Sequence, residues 1–143
     1  MAKRTKTISL LEGCFLREIA FEGTVFSGNG DGQKFIHLPW VKRQIQEKLG
    51  FTPYPGTLNI RLTKESEKKK KLLENAKQLE VYPAKGYCTG KLIKAHIDSL
   101  ECAIIIPQIP NYPSDTVEVI AFWYLRERLK ITDGSEVTVT FDG

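Results

Sequence analysis

Between two apolar runs of this chain lies the stretch GTVFSGNGDGQKF, residues 23–35. Its alternating glycines Gly28, Gly30 and Gly32 let the backbone turn with positive φ and bring amide N–H groups close to an anion. The alternation before the loop and the run at residues 33–38 predict a strand, a loop and a second strand. The loop is suited to binding phosphate, although Asn-Gly and Asp-Gly pairs are also typical of an ordinary hairpin.

A second motif, Gly56-Thr57-Leu58-Asn59-Ile60, begins a segment that alternates as a strand over residues 57–62. Thr57 and Asn59 are two residues apart, so their side chains leave the same face of the predicted strand. Hydroxyl and amide oxygens suit Mg²⁺, which needs only one or two protein ligands when phosphate and water fill its other positions. The alternative is a solvent-facing pair, and the nearby glycine loop is what favours the metal site.

Composition bounds the class of protein. With 143 residues, 41% of them hydrophobic, the chain is long enough for one compact domain and short for two. We place this domain at residues 21–143, after a basic lead-in of weak pattern at residues 1–20. No apolar run approaches the roughly 20 residues of a membrane span, and the amino terminus lacks a signal-peptide pattern. We therefore expect a cytoplasmic protein without a membrane partner.

Cysteine spacing and charge further limit the kinds of protein that this chain can be. Cys14, Cys88 and Cys102 are far apart and form no C-x-x-C motif, so they indicate reduced, mostly buried thiols rather than a disulfide framework or a zinc site. The formal net charge is +4, with a dense run of lysines at residues 68–71. We interpret this run as the solvated face of a helix, with nucleic-acid binding as the alternative.

The remaining pattern favours a mainly β fold. Pro39, followed by Val41, Ile45 and Leu49 at helical spacing and then by Gly50, predicts a helix. Leucines at helical spacing predict a second amphipathic helix over residues 64–79. From residue 81 onward, five short β-rich runs alternate with Gly, Pro and Asp-Gly turns. Many short strands with two or three helices favour a small β-barrel with inserted helices.

Two later segments carry further candidates. Glu118 interrupts an apolar run at residues 116–121, either as an outward-facing polar residue of a half-buried strand or as a carboxylate that accepts a substrate hydroxyl. The run FWYLRERL, residues 122–129, begins with three aromatics, which are typical of a core. Base stacking by these aromatics and a phosphate contact by Arg126 are the alternatives.

Taken in order, three groups of motifs resemble the archaeal CTP-dependent riboflavin kinases. They are the glycine loop, the run Leu49-Gly50-Phe51-x-Pro53-Tyr54-x-Gly56-Thr57-Leu58-Asn59, and Glu118-Val119-Ile120-Ala121 followed by Leu125-Arg126-Glu127. The resemblance covers about residues 21–141. It implies a six-stranded cradle-loop (RIFT-like) β-barrel that transfers a phosphoryl group from CTP to riboflavin, giving FMN and CDP, with Mg²⁺ as cofactor.

The resemblance also implies roles for individual residues. Gly28, Asn29, Gly30, Asp31, Gly32 and Gln33 would surround the nucleotide phosphates, and Trp123, Tyr124, Leu125 and Arg126 would line the cytidine. Thr57 and Asn59 would hold Mg²⁺, while Glu118 would contact the flavin and is the candidate catalytic group. Members of the family usually carry a Thr where this chain has Pro110, and Asn111 is the candidate substitute. Riboflavin and CTP would be the partners of a monomer.

Two other functional classes stay open from the sequence. One is a non-enzymatic regulatory or nucleic-acid-binding β-barrel that uses Lys68 to Lys71 and the aromatics near Trp123. A pair such as Thr57 and Asn59 beside a glycine loop has no purpose in such a protein. The other is a flavin or nucleotide carrier without turnover, which the missing Thr makes plausible.

Overall fold

A computed structural model of the chain describes residues 8–11, 14–28, 30–82, 90–108 and 110–143. The strands within these residues are β1 (Ile8–Leu11), β2 (Cys14–Phe26), β3 (Leu58–Leu62), β4 (Leu79–Val81), β5 (Gly90–Ile97), β6 (Leu100–Pro107), β7 (Thr116–Ile120) and β8 (Glu136–Asp142). The helices are α1 (Asp31–Ile36), α2 (Pro39–Leu49), α3 (Lys64–Lys68) and α4 (Leu125–Leu129), and a 3-10 helix spans Lys70–Asn75. In this part of the chain, no helix has the length and apolar character needed to cross a bilayer.

Six of the strands close into an antiparallel barrel. β2 pairs with β3, β3 pairs with β7, and the ring continues through β6, β5 and β8 back to β2. β1 pairs with β2, and β4 pairs with β5, so both lie outside the ring. Closure gives each wall strand a partner on both sides, which is how an antiparallel sheet removes exposed edges. The predicted mainly β fold, a six-stranded barrel with a few short helices, is confirmed.

β2 takes part in three pairings along its length. It pairs with β1 over residues 14–17, with β8 over residues 18–24 and with β3 over residues 23–26. Residues 18–20, at the end of the predicted lead-in, therefore contribute to the barrel wall.

Two apolar cores lie on opposite sides of the barrel wall. The interior core takes alternate residues from all six barrel strands: Ile19, Phe21, Val25, Leu58, Ile60, Leu62, Ile93, Ala95, Ile97, Cys102, Ile104, Val117, Val119, Val137, Val139 and Phe141. The outer core lies between the wall and the first two helices, and it contains Ile36, Val41, Ile45, Val81, Leu92, Ala103, Ile105 and Ile120. Glu118 is two residues before Ile120 on β7, so it faces outward as well.

The segment after the glycine loop is the helix α1, and the strand predicted for residues 33–38 is wrong. Gly30 precedes the helix with φ of +89°, and its carbonyl accepts a hydrogen bond from the backbone N–H of Lys34 at 2.9 Å. Ile36 is buried in the outer core against Val41 and Ile45 of α2. A run of six residues is too short for periodicity to separate helix from strand, and packing against α2 decides between them.

The helix predicted at Pro39 is confirmed as α2, and the long helix predicted for residues 64–79 is wrong. Thr63 caps α3 by accepting a hydrogen bond from the backbone N–H of Ser66 at 3.1 Å. After one residue the 3-10 helix follows, and β4 begins at Leu79. Leu73 and Ala76 are nevertheless buried in the interior core, so the packing predicted for this segment is correct.

Two lysines at the junction of α3 and the 3-10 helix bond to the barrel backbone. The ammonium group of Lys69 donates to the carbonyl oxygen of Ala20 at 2.7 Å, and that of Lys70 donates to the carbonyl oxygen of Thr116 at 2.8 Å. These contacts hold two successive lysines against the barrel wall at the point where α3 gives way to the 3-10 helix. Lys68 and Lys71 are exposed, as predicted for a solvated face.

Candidate active site

Polar side chains from two strands meet on the outer wall of the barrel. Asn59 on β3 is the cross-strand partner of Glu118 on β7 and, on its other side, of Phe26 on β2. Thr57 directly precedes β3, and its hydroxyl also reaches Glu118, while the intervening Leu58 is buried in the interior core. The prediction that Thr57 and Asn59 share a strand face is confirmed, and the fold brings Glu118 beside them.

The Glu118 carboxylate is buried and accepts a hydrogen bond at each oxygen. The residue is 4% exposed. The hydroxyl of Thr57 donates to Oε1 at 2.9 Å, and the hydroxyl of Tyr112 donates to Oε2 at 2.6 Å. Since each carboxylate oxygen has two lone pairs, both can accept a further donor. Glu118 does face outward, as its strand pattern predicts, but it is covered by other residues rather than solvated.

The glycine loop lies directly against this pair of side chains. A Cβ atom on Gly28 would lie 2.7 Å from Oδ1 of Asn59, and a Cβ atom on Gly32 would collide with Oε1 of Glu118. Only glycine fits at these two positions unless the neighbouring side chain moves. The predicted nucleotide-binding residue Gln33 is exposed on α1, while Asn29 and the side chain of Asp31 lie outside the described residues.

Two cavities lie on either side of the Thr57–Glu118 hydrogen bond. The larger holds about 430 Å³ and is lined by Glu118 and Asn59, together with Phe26, Ser27, Gly28, Arg61, Asn111 and Tyr112 among others. The smaller holds about 40 Å³ and is lined by Thr57, Tyr54 and residues 123–126 among others. Ligand pockets usually hold about 300–1,000 Å³. The volume of the larger cavity is within this range, whereas the smaller cavity would admit a ligand of this size only if one of its walls moved.

Two stacked tyrosines line the smaller cavity. The rings of Tyr54 and Tyr124 stack with centroids 4.6 Å apart and an interplanar angle of 13°. Both residues are exposed, as is Phe122, so the prediction that the aromatic run forms core is wrong for Phe122 and Tyr124. Trp123 does pack against the interior core. An exposed stacked pair can separate at little cost, because such contacts contribute about 0.5–1.5 kcal/mol beyond the area that they bury.

Arg126 links the smaller cavity to the glycine loop. Its guanidinium lies 2.7 Å from Oδ1 of Asp133, and the Ser27 hydroxyl donates to Oδ2 of the same carboxylate at 2.8 Å. The hydrogen bond from Arg126, with that from Ser27 second, holds the pKa of Asp133 below its usual range. The predicted residue Leu125 is buried at the start of α4 and anchors this segment to the interior core.

The oxygen atoms of Thr57 and Asn59 are candidate ligands for Mg²⁺. Within the described residues, no group of three or more His, Cys, Asp or Glu side chains is placed to hold a metal. The Thr57 hydroxyl donates its hydrogen bond to Glu118, which leaves the lone pairs of the hydroxyl oxygen available to a cation, and Asn59 adds an amide oxygen. Two neutral oxygens beside a carboxylate fit a Mg²⁺ ion that takes its other ligands from phosphate and water.

Two larger cavities elsewhere are less suitable. One of about 530 Å³ is lined by residues 22–24 of β2 together with Asp98 and Glu136 among others, and one of about 600 Å³ is lined by Lys70, Lys71 and Lys91 among others. Neither is lined by Thr57, Asn59, Glu118 or the glycine loop. We therefore place the candidate site at the two cavities joined by Thr57 and Glu118.

Sequence reasoning missed three residues of the site: Tyr112, Tyr54 and Asp133. Each lies in a loop, where no hydrophobic period signals the direction of a side chain. Tyr112 follows Asn111, whose backbone has φ of +63°. Asn111 also lines the larger cavity, but no hydrogen bond from it to Glu118 is described. The only available signal was that Tyr112 stands within the run Pro110-Asn111-Tyr112-Pro113, six residues before Glu118.

The fold and the site define a class of protein, a small closed β-barrel with an oxygen-rich site on its outer wall beneath a glycine loop. The model of the CTP-dep_RFKase family, described as domain of unknown function DUF120, matches residues 25–141. The chain belongs to this family.

Curated relatives of the chain include three archaeal riboflavin kinases. The protein from Methanosarcina barkeri is 36% identical over 125 residues, that from Ignicoccus hospitalis 35% over 138 and that from Archaeoglobus fulgidus 38% over 128. The matches cover 85%, 94% and 85% of this chain. They cover 56%, 77% and 54% of the relatives, so the chain spans about half the length of two of them.

Proposed function

We propose that this chain is a CTP-dependent riboflavin kinase, which transfers the γ-phosphoryl group of CTP to the terminal ribityl hydroxyl of riboflavin. The products would be FMN and CDP. Family membership and the riboflavin kinase relatives support the reaction class. The observation that carries the proposal is the Thr57–Glu118 hydrogen bond between two cavities, beneath the glycine loop.

Riboflavin would occupy the larger cavity. Glu118 lines this cavity and has lone pairs left for the ribityl hydroxyl after it accepts from Thr57 and Tyr112. Phe26 supplies an aromatic wall, and its ring is covered on one face by the guanidinium of Arg61 at 4.1 Å. Asn111, also in the lining, would offer its side chain to the flavin.

The nucleotide would bind on the other side of the hydrogen bond, with its phosphates under the glycine loop, residues 28–33. Residues 123–126 would line the cytidine. For a base to enter the smaller cavity of about 40 Å³, Tyr54 has to leave Tyr124, and the exposure of both rings makes this movement possible. Arg126 would remain close to the loop through Asp133 and Ser27.

Thr57 and Asn59 would hold Mg²⁺ through their hydroxyl and amide oxygens, at the point where the two cavities meet. When bound, Mg²⁺ neutralises charge on the phosphate oxygens during phosphoryl transfer. The protein needs no further acidic ligand, because the nucleotide itself supplies oxygens.

In phosphoryl transfer, the protein positions the two substrates and stabilises the developing charge, and it forms no covalent bond to either substrate. The ribityl oxygen forms a bond to the γ-phosphorus while the bond to the β–γ bridging oxygen breaks, and CDP departs with that oxygen. Glu118 would accept the hydrogen bond of the ribityl hydroxyl, orient its oxygen in line, and receive the proton as it is released. The backbone of the glycine loop would stabilise the transferring group.

The nucleic-acid-binding alternative is less well supported by the contacts. The ammonium groups of Lys69 and Lys70 donate to backbone carbonyls of the barrel, which reduces their availability to a phosphate backbone. The carrier alternative differs from the kinase only in turnover. Monomeric state and cytoplasmic location stay predictions.

The deciding experiment is FMN formation from riboflavin by the purified chain, with CTP, ATP, GTP and UTP in parallel and EDTA as the no-metal control. Metal-dependent turnover that prefers CTP is the expected result. Flavin binding without product from any nucleotide would support the carrier, and absence of both binding and product would leave the regulatory barrel.

Two substitutions test the assigned roles. We expect Glu118→Gln to lower kcat, because the amide cannot take a proton; unchanged turnover and affinities would contradict the role of Glu118. We expect Asn59→Ala to raise the Mg²⁺ concentration needed for half-maximal rate while the protein remains folded. An unchanged Mg²⁺ requirement would remove Asn59 from the metal site.

A further inference from the structure

Tyr112 fixes one half of the Glu118 carboxylate. Its hydroxyl donates to Oε2 at 2.6 Å, while Thr57 holds Oε1 at 2.9 Å. The two donors come from different segments, the loop before β7 and the start of β3. Because both oxygens are held, the carboxylate plane cannot rotate without breaking a charge-assisted hydrogen bond.

The two hydrogen bonds matter because the Glu118 carboxylate borders the larger cavity. Its carboxylate lines the cavity of about 430 Å³, into which a carboxylate held at one oxygen could turn. A reacting group displaced by about 1 Å can cost on the order of a hundredfold in rate. The Tyr112 hydroxyl is therefore placed where orientation of Glu118 matters for a ligand of the larger cavity.

Lys70 in turn holds the loop that carries Tyr112. Its ammonium nitrogen lies 5.4 Å from the centroid of the Tyr112 ring and donates to the carbonyl oxygens of Pro113 at 3.2 Å and Thr116 at 2.8 Å. These contacts connect the loop to the 3-10 helix on the barrel. One member of the lysine run thus has a specific place beside the site, whereas its neighbour Lys71 is exposed.

We propose that Tyr112, held in place by Lys70, is a positioning residue that orients Glu118 toward riboflavin. This inference rests on the proposed function. Tyr112 acts through Glu118, so its removal affects the riboflavin side of the reaction and leaves the nucleotide side unchanged. A residue that only supported the fold would alter the apparent constants of both substrates.

The test is Tyr112→Phe, which removes the hydroxyl and keeps the ring. We expect kcat/KM for riboflavin to fall about tenfold, as for the loss of one hydrogen bond to a charged group, while KM for CTP stays within about twofold. Lys70→Met should act in the same direction, and the matched control Lys71→Met should leave both constants unchanged. If Lys70→Met does not fold, Tyr112→Phe alone decides.

A double-mutant cycle separates orientation of Glu118 from any independent effect. In the Glu118→Gln background, Tyr112→Phe should change kcat/KM for riboflavin by less than about twofold, because the group that it orients is already altered. An equal loss in both backgrounds, or no loss in the wild-type background, would overturn the inference.

The same variants distinguish failure of this inference from failure of the proposed function. If the wild-type chain binds riboflavin but forms no FMN, the kinase proposal fails, and riboflavin affinity from quenching of flavin fluorescence takes the place of kcat/KM. Weaker riboflavin binding by Tyr112→Phe, dependent on Glu118, would still support the orientation; unchanged binding would overturn it. If the wild-type chain does not bind riboflavin, both proposals fail.

Discussion

The hydroxyl of Thr57 donates to Oε1 of Glu118 at 2.9 Å, although the two residues are 61 positions apart in the chain. Thr57 lines one cavity and Glu118 lines the other, so this hydrogen bond lies where the proposed phosphoryl donor and acceptor would meet. The bond also leaves the lone pairs of the hydroxyl free for a cation. Thr57 is thus suited to serve both substrates.

Thr57→Val should lower activity because it keeps the shape of the side chain and removes its oxygen. We expect kcat to fall about tenfold to a hundredfold, by analogy with changes around metal sites, and the Mg²⁺ requirement to rise. The measurement is FMN formation over a Mg²⁺ titration. Thr57→Ser is the control and should retain most of the activity; similar losses in both variants would argue against a role for the hydroxyl.

Gly32→Ala should destabilise the protein through Glu118. The added Cβ would collide with Oε1 of the carboxylate, and overpacking of this kind usually costs about 1–3 kcal/mol. Urea denaturation should show this loss in the free energy of unfolding. In a Glu118→Ala background the same substitution should cost much less, because the clashing group is gone. Equal costs in the two backgrounds would mean that the loop does not lie against Glu118.

Asp133→Asn should weaken CTP binding severalfold and leave riboflavin binding unchanged, because the amide removes the negative charge and one of the two acceptor oxygens that Arg126 and Ser27 share. Calorimetric titration of both ligands measures this. Asp142→Asn, an exposed carboxylate at the opposite end of β8, is the matched control. A loss of affinity for both ligands in Asp133→Asn would indicate general damage instead.

The same network predicts a dependence of stability on pH. The pKa of Asp133 is below its usual value in the folded state, chiefly through the hydrogen bond from Arg126. Its contribution to stability is therefore present above the ordinary carboxyl range and is lost as pH falls through the folded pKa. The difference in melting temperature between wild type and Asp133→Asn should be measurable at pH 7 and should shrink in acid. A difference that is constant with pH would contradict this origin.

Burial of the Cys102 thiol predicts that the folded state loses stability at alkaline pH. Burial in the interior core raises the pKa of its thiol from 9.0 to about 12. The folded state therefore keeps this proton longer than the unfolded state, so the contribution is complete below pH 9 and is lost as pH rises toward 12. Between pH 9 and pH 10, the free energy of unfolding of the wild type should fall by about 1 kcal/mol more than that of Cys102→Ala.

Thiol reactivity provides a second check on Cys102. In a variant with Cys14 and Cys88 replaced by Ser, a thiol reagent should react slowly with the native protein and rapidly after unfolding in urea. Fast reaction in the native state would show that Cys102 is accessible, and the pH argument would then fail with it.

Local signals in the sequence were sufficient for most of the fold. Period-two alternation identified β2 and β3, β-rich runs between turns identified β5 to β8, and Pro39 with Gly50 marked the ends of α2, whereas β1 was not predicted. The errors fell on short segments. Residues 31–36 are helical where Ile36 packs against α2, and residues 64–79 are divided into α3, a 3-10 helix and the start of β4, with Lys69 and Lys70 bonded to the barrel backbone at the first break. In both cases, tertiary contacts outweighed local periodicity.

Local sequence patterns were sufficient to predict that this is a mainly β protein, that Thr57 and Asn59 share a face, and that a glycine loop precedes them. These are properties of single segments, and the two-residue period of a strand is enough to establish them. Which segments meet in space depends on the folded barrel. Closure of the barrel pairs β3 with β7 and so brings Glu118 beside Asn59, and the loop before β7 brings Tyr112 onto the same carboxylate. Strand order and loop direction depend on long-range packing, which no local pattern encodes.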